Sequence, residues 1–228
     1  MLKPSHIHTL TGVLLLSLCA APSAGMAYVD PPDRVAYLDH TQGRVSYSPA
    51  GENEWSTVER NRPLVRGDRL WTDQDAHAEF QLGSAAIRIG ANTSVGILDL
   101  DDRIAQVKLS QGVLNLSIRR MYSGQIYEVV TPTLAFTINR TGNYRIDVDP
   151  YDDETTIVVW EGAGEAYGDN TSISLREGDM ARFHGPDVHD YDMYDLPRTD
   201  AFDRYCLDRD QRLDHSVSRR YLDDDVVG

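Results

Sequence analysis

The residues best suited to metal chemistry are two histidines set among aspartates in the last quarter of the chain. His184 and His189 offer imidazole nitrogens, which suit a divalent cation when carboxylates lie nearby. The neighbouring carboxylates are those of Asp187, Asp190, Asp192 and Asp195. Their spacing matches no established ligand signature, and acidic runs of this kind are typical of solvated loops. We therefore favour a polar linker and assign no metal ligand.

A second concentration of carboxylates extends from Asp147 to Glu154, between two strand-like segments. Hard oxygen ligands this close together can hold Ca²⁺, but the EF-hand spacing with its glycine at the sixth position is absent. Proline and aspartate are ordinary turn residues, so a charged hairpin loop is the better interpretation. The same interpretation applies to Asp99–Asp102.

Nucleophilic catalysis finds little support in the sequence. The chain has no Gly-x-Ser-x-Gly segment, and His77, His184, His189 and His215 are scattered along it. Cys206 lies in a predicted charged helix rather than in a context that would activate a thiol. We assign no catalytic residue and no cofactor, and we predict that the protein is not an enzyme.

The three tryptophans could form a stacking platform for sugars if they faced solvent. Trp71 and Trp160 alternate with apolar neighbours, which favours packing in or beside a core. Trp55 lies in a loop-like segment and is the best candidate for an exposed anchor of a partner surface.

The charge balance argues against nucleic acid as a partner. Asp and Glu number 36 against 22 Lys and Arg, which gives a formal net charge of −14 at pH 7. Nucleic-acid-binding surfaces neutralise phosphates with Lys and Arg, and this chain has the opposite excess.

The N-terminus predicts export across a bacterial membrane. Lys3 precedes an apolar run, Val13–Ala21, that is too short to span a bilayer and is followed by small residues. We predict a signal peptide of residues 1–27 cleaved after Ala27, with cleavage after Ser23 as the alternative. No later segment reaches the roughly 20 apolar residues of a membrane span. We therefore predict an anchor-free mature chain in the periplasm or outside the cell.

The two cysteines divide between the signal peptide and the mature chain. Cys19 follows the bulky Leu18 where a lipoprotein signal requires a small residue, so lipidation is not predicted. If Cys19 leaves with the signal, Cys206 is the one thiol that remains and an internal disulfide is excluded. Pairing of Cys206 with another chain stays open.

The chain up to Phe183 has the rhythm of an all-β protein. Short two-periodic runs of β-branched and aromatic residues are bounded by Gly, Asn, Asp and Pro. The predicted strands are Val35–Leu38, Gly43–Ser48, Arg69–Thr72, Ala78–Leu82, Ala86–Ile89, Ser94–Leu100, Ile104–Leu109, Gly112–Ile118, Ile126–Val130, Leu134–Thr137, Gly142–Val148, Thr155–Trp160, Gly164–Tyr167, Ile173–Leu175 and Met180–Phe183.

Similar glycine turns separate these strands. Hairpin corners are predicted at Gln42-Gly43, Gln111-Gly112 and Glu161-Gly162, while Arg66-Gly67-Asp68 and Glu177-Gly178-Asp179 each introduce a further strand. Recurrent corners of this kind favour a jelly roll or a double-layered β-helix, because glycine tolerates the positive φ of tight turns.

The last part of the chain is predicted to differ from the β-region. Residues 184–198 form a polar, Asp- and Tyr-rich linker. The period then changes to three or four residues, which predicts a charged helical tail over residues 199–228 with Thr199 or Asp200 as its cap. The apolar and long residues that recur are Phe202, Cys206, Arg209, Leu213 and Val217. The acidic end of the chain lacks a compact ending, which indicates a frayed or truncated terminus.

Several segments, in order along the chain, resemble the FecR-domain family. They are Gly67–Thr72, Ala78–Ser84, Ile87–Ser94, Val107–Leu116, Tyr127–Phe136 with its Val-x-Thr-Pro strand, Thr156–Ala166 with its Glu-Gly strand pair, and Leu175–Phe183. The resemblance covers residues 34–183 and implies a FecR-like β domain there. The tail segment Phe202–Cys206 resembles the Phe-Asp-Arg-Trp-Cys tail of secreted FecR-domain proteins of unknown function.

The resemblance implies a function in binding rather than in a reaction. FecR-family regulators also carry a cytoplasmic anti-sigma segment and a membrane helix, and this sequence shows neither. We expect a non-catalytic periplasmic protein-interaction or sensory module whose partner is another envelope protein. The alternatives are a glycan- or Ca²⁺-binding envelope module and, less favoured, a hydrolase of envelope polymers.

Overall fold

The computed structural model describes residues 36–101, 103–168 and 171–215. The predicted signal peptide, Cys19 and Val217 lie outside the described residues. The described chain confirms the prediction of an all-β fold with one charged helix near the C-terminus. Its elements are β1 (Ala36–Gln42), β2 (Val45–Ser48), β3 (Ser56–Thr57), β4 (Pro63–Leu64), β5 (Arg69–Thr72), β6 (His77–Leu82), β7 (Ala85–Ile89), β8 (Thr93–Leu100), β9 (Ile104–Ile118), β10 (Ile126–Val130), β11 (Ala135–Ile138), β12 (Gly142–Asp149), β13 (Glu154–Glu161), β14 (Ala163–Gly168), β15 (Thr171–Arg176), β16 (Met180–His184), β17 (Tyr191–Tyr194) and α1 (Ala201–His215).

Strand pairing gives two sheets that share their longest strand. Sheet I has the order β4-β1-β6-β7-β9-β12-β13-β16-β17. Sheet II has the order β3-β2-β5-β8-β9-β10-β11-β14-β15. The first half of β9 pairs within sheet II and its second half, from Gly112, pairs within sheet I. Each sheet ends in edge strands and is therefore open.

The chain alternates between the two sheets, and glycines mark several of the crossings. The predicted hairpins at Gln42-Gly43, Gln111-Gly112 and Glu161-Gly162 are wrong. Gln42-Gly43 and Glu161-Gly162 each connect a strand of one sheet to a strand of the other, and Gln111-Gly112 lies inside β9, where that strand passes from sheet II to sheet I. The three glycines have φ values of 72°, 89° and 100°. A turn signal shows that the chain changes direction, but it does not show which strand the next one meets.

Gly112 lies inside β9 at the point where that strand passes between the sheets. Its φ is +89°, and a Cβ there would contact Thr93 Oγ1 and lie 2.6 Å from Thr93 Cα. We expect Gly112→Ala to lower the free energy of unfolding by about 2 kcal/mol, because backbone strain and crowding add together. Urea unfolding measures this. Gly124→Ala is the matched control, since Gly124 has a φ of +84° and nothing within 4 Å. Equal losses in the two variants would contradict the crowding at the crossing.

One hydrophobic core receives side chains from both sheets. Phe136 of β11 and Tyr144 of β12 are fully buried, and their ring centroids lie 5.9 Å apart in an edge-on arrangement. The Tyr144 hydroxyl donates to the carbonyl of Arg140 at 2.6 Å and accepts from the N–H of Ala163 at 3.0 Å. This aromatic pair joins the sheets, and the hydroxyl fixes two of the crossings beside it.

The Thr-Pro segment of the FecR-like pattern has a structural role. Thr131 and Thr133 lie in the β10–β11 turn of sheet II, and Thr155 lies on β13 of sheet I. The Thr133 and Thr155 hydroxyls are 2.7 Å apart, and Thr155 Oγ1 donates to Thr131 Oγ1 at 3.1 Å. The three buried hydroxyls satisfy one another and hold the turn against the other sheet.

The two Gly-Asp corners form the same local turn. Asp68 Oδ2 accepts from the N–H of Val65 at 2.9 Å, and Asp179 Oδ2 accepts from the N–H of Arg176 at 2.9 Å. In both corners the aspartate N–H donates back to the carbonyl of that same residue, at 3.1 Å and 2.9 Å. The sequence similarity between the corners therefore reflects a shared aspartate-capped turn.

The region after β16 contains a strand that the sequence does not indicate. β17 lies within residues 184–198, the predicted acidic linker, and pairs antiparallel with β16. After β17 the chain reaches α1, whose start is a capping box. The N–H of Asp203 donates to Asp200 Oδ1 at 2.8 Å, and the N–H of Asp200 donates to Asp203 Oδ2 at 2.9 Å.

Candidate functional site

The most strongly charged buried region lies between α1 and sheet I. Strand register places Glu79, Arg88, Asn115 and Arg145 side by side on β6, β7, β9 and β12. Their strand neighbours fill the core, so these four side chains project from the opposite face of the sheet. We call the four residues the polar row.

Arg88 of the polar row is fully buried, with a side-chain exposure of 0%. Its Nε donates to Glu79 Oε2 at 2.6 Å, and its Nη2 donates to Asp210 Oδ1 of α1 at 2.8 Å. Burying a charge is costly unless it is paired and hydrogen-bonded. The guanidinium is therefore held by one carboxylate from the sheet and one from the helix.

Glu79 lies between two guanidinium groups. Besides Arg88, it accepts from Arg209 of α1 at 3.0 Å on each of its two oxygens. Burial alone would raise the pKa of Glu79, but the hydrogen bonds and charges of Arg209 and Arg88 outweigh burial and lower the pKa to about 2. Glu79 is therefore a carboxylate at neutral pH.

Further ion pairs hold the two ends of α1. At its start, Arg145 Nη1 donates to Asp200 at 2.7 Å and to Asp203 at 3.0 Å. Near its end, Arg119 Nε donates to Asp214 at 2.9 Å. Charge pairing thus extends along the whole underside of the helix.

The apolar part of this contact is small and comes from the tail segment that resembles secreted FecR-domain proteins. The buried residues of α1 are Phe202, Asp203 and Cys206. The ring of His77 on β6 packs against Tyr205 at 4.9 Å and against Phe202 at 5.8 Å between centroids. The segment Phe202–Cys206 therefore supplies the apolar part of the contact between α1 and the sheet.

Cys206 is expected to be unreactive in the folded protein. It is 1% exposed, and burial raises the pKa of its thiol to about 12. Because the thiolate is the reactive form, we expect modification by Ellman's reagent at neutral pH to be at least tenfold slower in buffer than in denaturing urea. Equal rates in the two solutions would show that α1 does not cover the thiol.

A groove of about 480 Å³ borders α1 on the side of β12 and β13. Its lining includes Asn143, Trp160, Glu161, Thr199 and Leu207. Trp160 is half-buried here, at the margin of the sheet, as its alternation with apolar residues predicts.

The two histidines considered as metal ligands, His184 and His189, contact different side chains. His184 is bracketed by Glu154, 3.0 Å from Nδ1, and by Asp192, 3.3 Å from Nε2. His189 Nε2 lies 3.0 Å from Thr171 Oγ1 instead. Across residues 36–101, 103–168 and 171–215, no group of three or more His, Cys, Asp or Glu side chains is arranged to hold a metal ion.

The two acidic loops use carboxylates to bind backbone groups. In the β12–β13 hairpin, Asp149 Oδ1 accepts from the N–H of Tyr151 at 2.9 Å. In the β8–β9 turn, Asp101 Oδ1 accepts from the N–H groups of Arg103 and Ile104 at 2.7 and 2.8 Å. Asp102 lies outside the described residues.

The other two tryptophans differ in exposure. Trp55 is 45% exposed between β2 and β3, and the guanidinium carbon of Arg69 lies 5.3 Å from its ring centroid. Trp71 is half-buried on β5, and its Nε1 donates to Asp73 at 2.9 Å. Trp55 therefore lies at the surface, where a partner could contact it.

Comparison with known proteins supports the resemblance found in the sequence. Residues 68–163 match the sequence model of the family described as FecR protein. The resemblance to the FecR-domain family is therefore confirmed over that region, which runs from the start of β5 to the start of β14. No curated protein sequence matches this chain.

Two crystal structures of a protein from Parabacteroides distasonis, described as a "putative anti-sigma factor", are similar to part of this chain. Each aligns with a TM-score of 0.48 and 12% sequence identity, over 56% of this chain. The aligned region spans 59% of the length of those chains.

Among the described residues, no helix has the length and apolar character that a membrane crossing requires.

Proposed function

We propose that this chain is a non-catalytic protein-interaction or sensory module that takes part in envelope signalling from the periplasm. The match of residues 68–163 to the FecR family carries the proposal. Proteins of that family resemble this chain in their extracytoplasmic part, and the predicted signal peptide would deliver the chain to the same compartment.

The chemistry of the buried cluster supports a structural rather than a catalytic role. A general acid or base works best with a pKa near the operating pH, but Glu79 is fixed as a carboxylate by two guanidiniums. A nucleophilic thiol needs a lowered pKa, but burial raises the pKa of Cys206. Both groups instead fasten α1 to sheet I.

Cross-linking in the native cell tests the proposal. The full chain with a C-terminal affinity tag would be expressed in its own host, cross-linked in the intact envelope and purified with and without a chelator. We expect one envelope protein to be enriched in both samples over an unrelated exported protein of similar net charge. Recovery of the chain from the periplasmic fraction tests the location.

The other outcomes separate the competing functions. Enrichment that disappears with the chelator would replace the proposal by the Ca²⁺-binding alternative. No enrichment above the control would contradict the interaction module, and glycan binding would then be tested on immobilised envelope polysaccharide.

A further inference from the structure

We propose that the free edge of β17 binds an extended basic segment of the partner protein, which adds to sheet I as a further antiparallel or parallel strand. This inference rests on the proposed function and specifies the surface and the chemistry by which the module binds. It is carried by the backbone geometry of β17, its exposed apolar side chains and the charge around it.

The backbone of β17 presents unused hydrogen-bonding groups. The N–H of His184 donates to the carbonyl of Asp190 at 2.9 Å, which fixes the phase of the β16–β17 ladder. Because hydrogen-bonded pairs alternate along an antiparallel ladder, Asp192 bonds with β16 while Tyr191 and Met193 direct their N–H and C=O groups outward. No other strand of the described residues pairs with this edge.

The edge at β17 exposes apolar side chains beside its aspartates. Met193 is 49% exposed on the core-facing side, Tyr194 is 42% exposed on the opposite side, and Leu196 just beyond is 40% exposed. Proteins normally protect free edges with charge, proline or very short strands. The free edges at β3 and β4 are two residues long, and the edge at β15 exposes serines and an arginine. β17 is therefore the edge best suited to contact an apolar partner.

The surroundings of β17 are acidic, which identifies the charge of the partner. Exposed carboxylates lie on the strand and on both sides of it, at Asp187, Asp190, Asp192 and Asp195. The guanidinium of Arg182 on β16 contacts the Tyr194 ring at 5.1 Å and Glu154 at 3.7 Å. A second copy of this chain would bring the same carboxylates together across the contact, and like charges opposite each other are destabilising. A basic segment has the complementary charge.

The two faces of β17 also specify the pattern of the bound strand. Tyr191 and Met193 lie on the core-facing side, whereas Asp192 and Tyr194 lie on the outer side. An added strand would place apolar side chains beside Met193 and cationic side chains beside Asp192. The partner segment therefore alternates apolar residues with Lys or Arg, and backbone pairing supplies much of its affinity.

Binding of a synthetic peptide tests this inference directly. The probe is a fluorescent ten-residue peptide of alternating Lys and Val, compared with one of alternating Glu and Val, and fluorescence anisotropy gives the Kd. We expect the Lys peptide to bind at least tenfold more tightly than the Glu peptide, with an affinity that falls as salt is raised. Amide hydrogen exchange at Tyr191 and Met193 should slow when the Lys peptide binds.

Met193→Pro is the decisive variant, because it removes an outward N–H and leaves the β16–β17 ladder intact. We expect it to weaken Lys-peptide binding at least tenfold, whereas Met193→Ala, which keeps the N–H, should weaken binding less. Circular dichroism and thermal unfolding establish that both variants fold. Equal affinity for wild type and Met193→Pro, or no Lys-peptide binding at millimolar concentration, would overturn the edge site.

The cell cross-linking experiment separates this inference from the proposed function. A partner captured equally by wild type and by Met193→Pro would overturn the β17 site and leave the interaction function standing. Absence of any specific partner for the wild type would instead overturn the function itself. A partner lost only in Met193→Pro, and carrying an alternating basic and apolar segment, would support both.

Discussion

Replacing Arg88 by alanine is expected to lower the free energy of unfolding by about 3–5 kcal/mol. The substitution removes a fully buried guanidinium whose partners are Glu79 and Asp210, 2.6 and 2.8 Å away. The buried carboxylate of Glu79 would keep Arg209 as a partner but lose Arg88. The helix α1 would lose its central contact with sheet I. Urea unfolding at pH 7 measures the loss, and the melting temperature should fall by about 10 °C.

Two further variants show whether burial is the cause. Arg212→Ala removes an exposed pair with Asp208, 2.8 Å away, and is expected to cost less than about 1 kcal/mol. The double variant Glu79→Leu/Arg88→Met removes both buried charges, so it should be more stable than Arg88→Ala. If Arg88→Ala cost no more than Arg212→Ala, the polar row would not be the structural centre of the α1 contact.

Acidification from pH 5 to pH 2 is expected to remove about 3 kcal/mol of stability through Glu79 alone. The folded pKa of about 2 lies below the usual glutamate pKa of 4.5 because the two guanidiniums outweigh burial. A depressed pKa means that the folded state binds fewer protons than the unfolded state. The contribution is therefore complete above the unfolded pKa and is lost as pH falls toward the folded pKa.

The variant Glu79→Gln removes the titrating carboxyl of Glu79. Burial and the charge of Glu79 raise the pKa of Asp39, which changes stability with pH in the opposite direction, so the substitution also weakens this opposing contribution. The stability difference between wild type and Glu79→Gln should therefore be largest above pH 5 and shrink toward pH 2, as followed by urea unfolding at each pH. Parallel pH profiles would show that Glu79 is not held by Arg88 and Arg209.

Most strands could be predicted because their side chains alternate between core and solvent. The predicted bounds of Arg69–Thr72 and Ile126–Val130 match β5 and β10. The strand β17 cannot be predicted in this way, because its side chains do not alternate between core and solvent. Its Asp and Tyr residues lack apolar alternation, because an edge strand with one free side leaves most of its side chains exposed.

The polar row could not be found from local pattern. Glu79 and Arg88 occupy the alternate positions that a half-buried strand normally leaves in water, so nothing in the local pattern distinguishes them from solvent-exposed residues. They are buried only because α1, more than a hundred residues later, lies over them. The helix itself and its cap were predictable from period and composition, but the face it covers depends on long-range packing.

The shared strand β9 has a consequence for how the protein responds to binding. One continuous strand pairs in both sheets, and both sheets send side chains into one core, so unfolding of either sheet exposes core side chains of the other. The domain therefore behaves as one cooperative unit, and the free energy of a ligand bound only to the native state stabilises all of it. A strand added at β17 would slow the opening of distant sheet II as well as of sheet I. Binding at one edge of sheet I therefore stabilises the whole domain.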